Sequence, residues 1–125
     1  MMHNIEVEAE VVHGRKIGRA LGFPTANMSL EGYENIERGV YRSRVEIDGV
    51  VYRAMSNVGI RPSVGGKELL LETHVIGYSG NLYGRVLRVV LEEKLRDEKR
   101  FASISDLKEQ LMRDYNMCKE PIEVL

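Results

Sequence analysis

From Ile5 to Val12 the chain alternates without a break, with Ile5, Val7, Ala9 and Val11 on one side and Glu6, Glu8 and Glu10 on the other. A period of two marks a strand with one buried face and one wet face. The pattern recurs: Tyr41, Ser43, Val45 and Ile47 alternate with Arg42, Arg44 and Glu46, and Asp48-Gly49 follows. Asp-Gly suits a two-residue type I′ turn, so Val50 to Val58 reads as the return strand, with Ile47 opposite Val50 and Val45 opposite Tyr52. Leu69 to Ile76 and Tyr83 to Glu93 are further strands, and Pro24 to Leu30 is a short extended piece. Gly59 to Lys67 reads as a loop around Pro62, and Lys94 to Arg100 as a solvated charge run. Ser103 with Asp106 three residues on caps one helix, whose stripe Ile104, Leu107, Leu111 and Tyr115 is expected to face the core. Glu109 and Arg113 can pair one turn apart. Five or six short strands have edges to hide. The pattern therefore suggests a mainly β fold, a small closed antiparallel barrel with a C-terminal helix, without separating a barrel from a sandwich.

At 125 residues the chain is expected to be one domain, 1–125. A formal charge of −1 argues against a general nucleic-acid partner, which calls for a basic excess. The single cysteine, Cys118, can make no internal disulfide and suits a reducing, cytoplasmic setting. No apolar run approaches the roughly 20 residues that span a bilayer, so no membrane partner is expected either.

The chemistry concentrates between His13 and Asn27. Gly14, Gly18 and Gly22 are interleaved with Arg15, Lys16 and Arg19. Glycines free backbone N–H groups to turn toward a ligand, and with cations nearby they make an anion-binding concavity. Phe23-Pro24 stiffens the exit. Thr25 and Asn27, two apart in an extended segment, point to one side, where a hydroxyl and an amide oxygen suit Mg²⁺ held with a nucleotide's phosphates. The motif is not a P-loop, because Lys16 precedes Ile17 rather than Ser or Thr. A glycine-rich basic surface loop with nothing bound is the plainer reading of the spacing alone.

The segment as a whole, ending Gly-Phe-Pro-Thr-Ala-Asn at residues 22–27, resembles the signature of the riboflavin kinases (flavokinases). The resemblance continues in order through Gly39-Val40-Tyr41, Asn57 to Ser63, Glu72-Thr73-His74, Leu82-Tyr83-Gly84 and Leu95 to Phe101. Departures are Ser63 where Thr is usual, Gly77-Tyr78 where Asp-Phe is common, and Asn81 where Asp is common. The resemblance implies a six-stranded Greek-key barrel with a C-terminal helix. It also implies Mg²⁺-dependent transfer of the γ-phosphate of ATP to the 5′-hydroxyl of riboflavin, giving FMN and ADP. Bacterial members usually form the C-terminal half of a bifunctional FAD synthetase. The resemblance thus leaves two native contexts: a monofunctional kinase, or a fusion to an FMN adenylyltransferase domain that these residues do not contain.

Roles carried over by the resemblance are specific. Glu72 is the family's catalytic base. Unaided, a Glu on a strand reads as exposed, but partial desolvation among Leu69, Leu70 and Leu71 would suit it to general-base work. Gly14, Lys16, Gly18, Arg19 and Gly22 would cover the phosphates, with Lys16 or Arg19 offsetting their charge. Thr25 and Asn27 would hold Mg²⁺ and orient the γ-phosphate. Tyr78, Tyr83, Phe101 and Leu107 are candidates for an isoalloxazine slot. His74 either helps position Glu72 or simply packs, and Arg61 either meets a ligand or is structural. The rivals are a non-catalytic flavin- or nucleotide-binding barrel, and a barrel for single-stranded nucleic acid, which needs a basic groove with stacking aromatics.

Overall fold

The computed structural model describes residues 2–14 and 17–120. Six strands and two helices follow in order: β1 (Met2–Val12), α1 (Ile17–Ala20), β2 (Ala26–Ser29), β3 (Gly39–Ile47), β4 (Val50–Ser63), β5 (Gly66–Val75), β6 (Val86–Arg96) and α2 (Ile104–Cys118). The strands close into a barrel in the order β1-β2-β5-β4-β3-β6, and every neighbouring pair is antiparallel. Closure leaves no sheet edge to protect. The expected barrel and C-terminal helix are therefore present, and the hairpin register is the expected one, Ile47↔Val50 and Val45↔Tyr52. Asp48 and Gly49 both take positive φ, 52° and 83°, as a type I′ turn requires.

The alternation seen in the sequence sorts side chains into and out of the barrel. Val7, Met28, Val45, Val58, Leu71, Val89 and Leu91 fill its interior and are fully or almost fully buried. One polar line crosses that interior: Ser56 is hydrogen-bonded to Ser43 at 2.7 Å and to Thr73 at 2.8 Å. A second, smaller apolar cluster lies outside the barrel wall, where Phe23, Val40, Met55 and Cys118 pack with Leu111 and Tyr115. Burial pushes the Cys118 thiol up to about 12. Outside the wall, too, the buried Glu92 receives hydrogen bonds from Arg44 at 2.6 Å and from Arg53. Burial alone would raise its carboxyl, but the two guanidinium groups prevail and hold it below the usual range.

Five expectations change. The segment after Val58 is strand, since β4 runs on to Ser63 and pairs with β5 through Ser63↔Gly66. Pro62 is tolerated there because β4 has by then lost β3, whose last pair is Gly39↔Val58, leaving one side of the strand open. The run from Lys94 is partly strand and largely engaged: Lys94 pairs with Glu37 and Asp97, both at 2.6 Å, and Arg96 with Asp114 at 2.7 Å. Helix α2 is capped as expected, Asp106 N–H donating to Ser103 Oγ at 3.1 Å, and Leu111 and Tyr115 of its stripe do pack on the outer cluster, but the stripe is not its most buried face. Gln110, Asp114 and Cys118 are its buried residues, whereas Ile104 is 57% exposed. Arg113 donates to Gln110 rather than pairing with Glu109. Finally, the glycine-rich segment contains a one-turn helix, α1, in addition to α2. Among the described residues no helix is long and apolar enough to cross a membrane.

Candidate functional site

Three strands of the barrel wall meet in one row of residues. Asn27 on β2 is paired with Glu72 on β5, and Glu72 with Asn57 on β4. Residues directly opposite each other in antiparallel strands project to the same side. Their neighbours Ala26, Met28, Leu71, Thr73, Ser56 and Val58 are buried in the interior, so Asn27, Glu72 and Asn57 all project from the outer face. Both amides carry an unmatched group here: Asn27 Oδ1 and Asn57 Oδ1 are buried with no hydrogen-bond partner. Buried carbonyl oxygens are rarely left so.

The glycine segment is held against this row. A Cβ on Gly14 would overlap the amide of Asn27, so only glycine lets the backbone approach that closely. Gly22, at φ 91°, ends α1, its N–H donating to Arg19 O at 3.1 Å. Phe23 then inserts into the outer cluster, 5.5 Å from the His74 ring and 6.0 Å from Tyr115. His74 Nδ1 bonds the Pro24 carbonyl at 2.8 Å. A carbonyl only accepts, so Nδ1 carries the proton. His74 thus fastens the stretch that leads into Thr25 and Asn27, two residues along β5 from Glu72.

Two clefts open on this arrangement. The larger, of about 630 Å³, is lined by Arg19, Thr25, Tyr78 and Tyr83 among others. The smaller, of about 310 Å³, is lined by Arg61, Glu68, Leu70 and Glu72 among others. They share His13, Gly14 and Asn27, which stand between them. His13 stacks on Tyr83, ring centroids 3.7 Å apart, across the larger cleft's margin. Of the residues singled out in the sequence, Gly14, Arg19, Thr25, Asn27, Tyr78 and Tyr83 come together around the larger cleft, with Glu72 reached through Asn27 in the smaller one. Gly18 belongs to α1 and Gly22 to its end, and Gly22 lines neither cleft. Phe101 and Leu107 line neither cleft. Arg15 and Lys16 lie outside the described residues.

The surroundings of Glu72 differ from the apolar setting expected of a residue that follows three leucines. Leu71 points into the barrel, and what meets the carboxylate on the outer face is a guanidinium: Arg61 Nε lies 2.9 Å from Glu72 Oε1. The same guanidinium reaches Glu98 Oε2 at 3.2 Å through Nη1. Sequence reasoning gave Asn57 no role and set Arg61 in a loop. The signal that would have found both is the period-two extension of β4 through Asn57, Gly59 and Arg61 on one face.

A family model described as Flavokinase: Riboflavin kinase matches residues 1–122. The chain is 40% identical over 121 residues to the bifunctional riboflavin kinase/FMN adenylyltransferase of Escherichia coli (strain K12), covering 94% of this chain and 38% of that protein. It therefore spans well under half the length of the curated relatives it matches. Among solved structures, the riboflavin kinase of Trypanosoma brucei superposes with a TM-score of 0.60 at 21% identity, over 90% of this chain and 75% of that one, a likeness of fold. A Streptococcus pneumoniae structure described as a macrolide-efflux protein superposes with a TM-score of 0.78 at 29% identity, over 95% of this chain and 40% of that one.

Proposed function

Since this chain belongs to the riboflavin kinase family, we propose that it transfers the γ-phosphoryl group of ATP to the 5′-hydroxyl of riboflavin, giving FMN and ADP. The observation that carries the reading is the pairing of Asn27 with Glu72 in one register position, with Gly14 closed against the Asn27 amide. A metal-and-phosphate side and a proton-accepting side are then neighbours, separated by one strand-to-strand spacing of about 5 Å.

In this reading the larger cleft takes the nucleotide. The Gly14 backbone and the Arg19 side chain face its phosphates. Lys16 remains a second candidate for that charge. Tyr78 and Tyr83, lining the same cleft as Gly14 and Thr25, are offered to the nucleotide rather than to the flavin. The smaller cleft takes the ribityl end of riboflavin, and Phe101 and Leu107 are left as candidates for the ring system beyond it.

The donor set fits Mg²⁺: the orphaned Oδ1 of Asn27 and the hydroxyl of Thr25 are hard oxygen ligands of the kind that ion takes alongside phosphate oxygens. When bound there, Mg²⁺ supplies neutralisation of the phosphate charge. The remaining chemistry belongs to the chain. Glu72 orients the 5′-hydroxyl and accepts its proton. The 5′ oxygen forms its bond to the γ-phosphorus as the bond from that phosphorus to the β,γ-bridging oxygen breaks, and ADP leaves with that electron pair. Phosphoryl transfer asks a protein for positioning and charge more than for covalent help, and a row of residues on rigid strands suits that demand.

Incubating the protein with riboflavin, ATP and Mg²⁺ and separating the flavins by chromatography tests the reading directly. FMN and ADP appearing in equal amounts support it; retained riboflavin with no ADP formed leaves the non-catalytic flavin-binding barrel in its place. Native fusion to an FMN adenylyltransferase domain, as in the E. coli relative, and a cytoplasmic location belong to the same proposal.

A further inference from the structure

We propose that Arg61 is a positioning residue for the reaction: it pins one oxygen of Glu72 so that the other meets the acceptor hydroxyl. The inference rests on the kinase reading and deepens it. Arg61 is paired in register with Glu68, four residues along β4 from Asn57, which faces Glu72. To reach Glu72 its side chain must double back along the strand, and Gly59 is what permits this. A Cβ at Gly59 would overlap Nη1 of Arg61 and the carboxylate of Glu98. Gly59 needs no special backbone angle; it leaves out a side chain so that the guanidinium can lie flat on the barrel wall.

The guanidinium is held on more than one edge. Nη1 donates to the Ile60 carbonyl at 3.0 Å and to Glu98 Oε2 at 3.2 Å, while Nε lies 2.9 Å from Glu72 Oε1 as an ion pair. Glu72 and Arg61 keep only 15% and 20% of their side-chain surface exposed. A planar fork fixed by a carbonyl and a second carboxylate has little freedom left, so it transmits that order to Glu72. Glu98, on the segment after β6, acts as the anchor, and Glu72 is the group being aimed. With Oε1 held beside the guanidinium, Oε2 is the oxygen offered to the proton. A flexible, unpinned Glu72 would lose alignment with the acceptor, and a misplacement of about 1 Å can cost about 10²-fold in rate.

The test is a double-mutant cycle on turnover, with ADP affinity measured by calorimetry and folding by circular dichroism. Arg61→Met is expected to lower kcat about 10²-fold, leaving ADP affinity within about twofold. Arg61→Lys keeps the charge without the fork and loses less. In a Glu72→Gln background neither substitution lowers kcat further, because a residue that acts through Glu72 has nothing left to act on. Should Arg61→Met not fold, Arg61→Lys carries the cycle alone. Losses that multiply in full on top of Glu72→Gln overturn the inference while leaving Glu72 as base. ADP affinity falling in step with kcat also overturns it, by making Arg61 a nucleotide contact. Parent turnover in Glu72→Gln removes the base and the inference together, and absence of FMN formation by the parent protein sinks the function reading itself.

Discussion

Glu72 and Asn27, proposed as proton acceptor and metal-side amide, occupy one register position, so their substitutions separate chemistry from binding. Glu72→Gln keeps the shape and removes the base, and turnover should drop by roughly 10²–10⁴-fold while calorimetry finds ADP binding nearly intact; parent-like turnover would remove Glu72 from the chemistry. Asn27→Ala deletes the buried, unpartnered Oδ1 and should raise the Mg²⁺ concentration needed for half-maximal rate. Nucleotide kinetics and magnesium dependence both matching the parent would take Asn27 out of the metal site. Thr25 and Asn27 were nameable from their spacing and oxygen donors, and Glu72 only through a resemblance; spacing said nothing of Glu72 as their neighbour. That adjacency is a pairing between residues 45 apart in the chain, and no local pattern encodes which strand a given strand will choose. Asn57 stayed silent for the same reason: its importance lies in what it faces.

At the scale of elements, the strands were legible because their alternation is local, and the β3–β4 turn because Asp48-Gly49 states its own geometry. Helix α2 misled because a stripe of apolar residues assumes that polar ones face water. Asp114 is buried because Arg96 comes across from β6 to meet it, with Gln110 donating to it as well. Breaking a pair of this kind by removing one member leaves an uncompensated charge, so Asp114→Ala should cost about 3 kcal/mol, read from urea unfolding; a change below 1 kcal/mol, well under that ~3 kcal/mol expectation, would mean the helix is held by its apolar contacts alone. Cys118 reports on the same docking. Its thiol is buried and pushed up to about 12 by that burial, so at pH 8 it is neutral as well as covered. A chromogenic disulfide reagent should leave it untouched in the native protein and label it on addition of urea. Rapid native labelling would show that α2 lifts away freely.

For the molecule as a whole, stability should carry an acid limb set in part by Glu92. Its carboxyl is held below the usual range by the hydrogen bonds of Arg53 and Arg44, which outweigh burial. A depressed carboxyl contributes fully above its unfolded value, about 4.3, and the contribution drains away as pH falls toward and through the lower folded value. Glu92→Gln should therefore be less stable than the parent by about 2 kcal/mol at pH 7, and the gap should shrink steadily as pH falls below about 4.3; a gap that stays constant in acid would assign the loss to packing. The shared register of Asn27 and Glu72 also limits how this chain can be edited. Removing or inserting a single residue between Phe23 and Met28 shifts β2 by one position, and a one-residue slip sends every side chain of a strand through to the opposite surface. Asn27 would then be swallowed by the apolar lumen and Met28 exposed in its stead. Lengths at loop tips such as Val64-Gly65 can drift, but the count of residues along that short strand cannot.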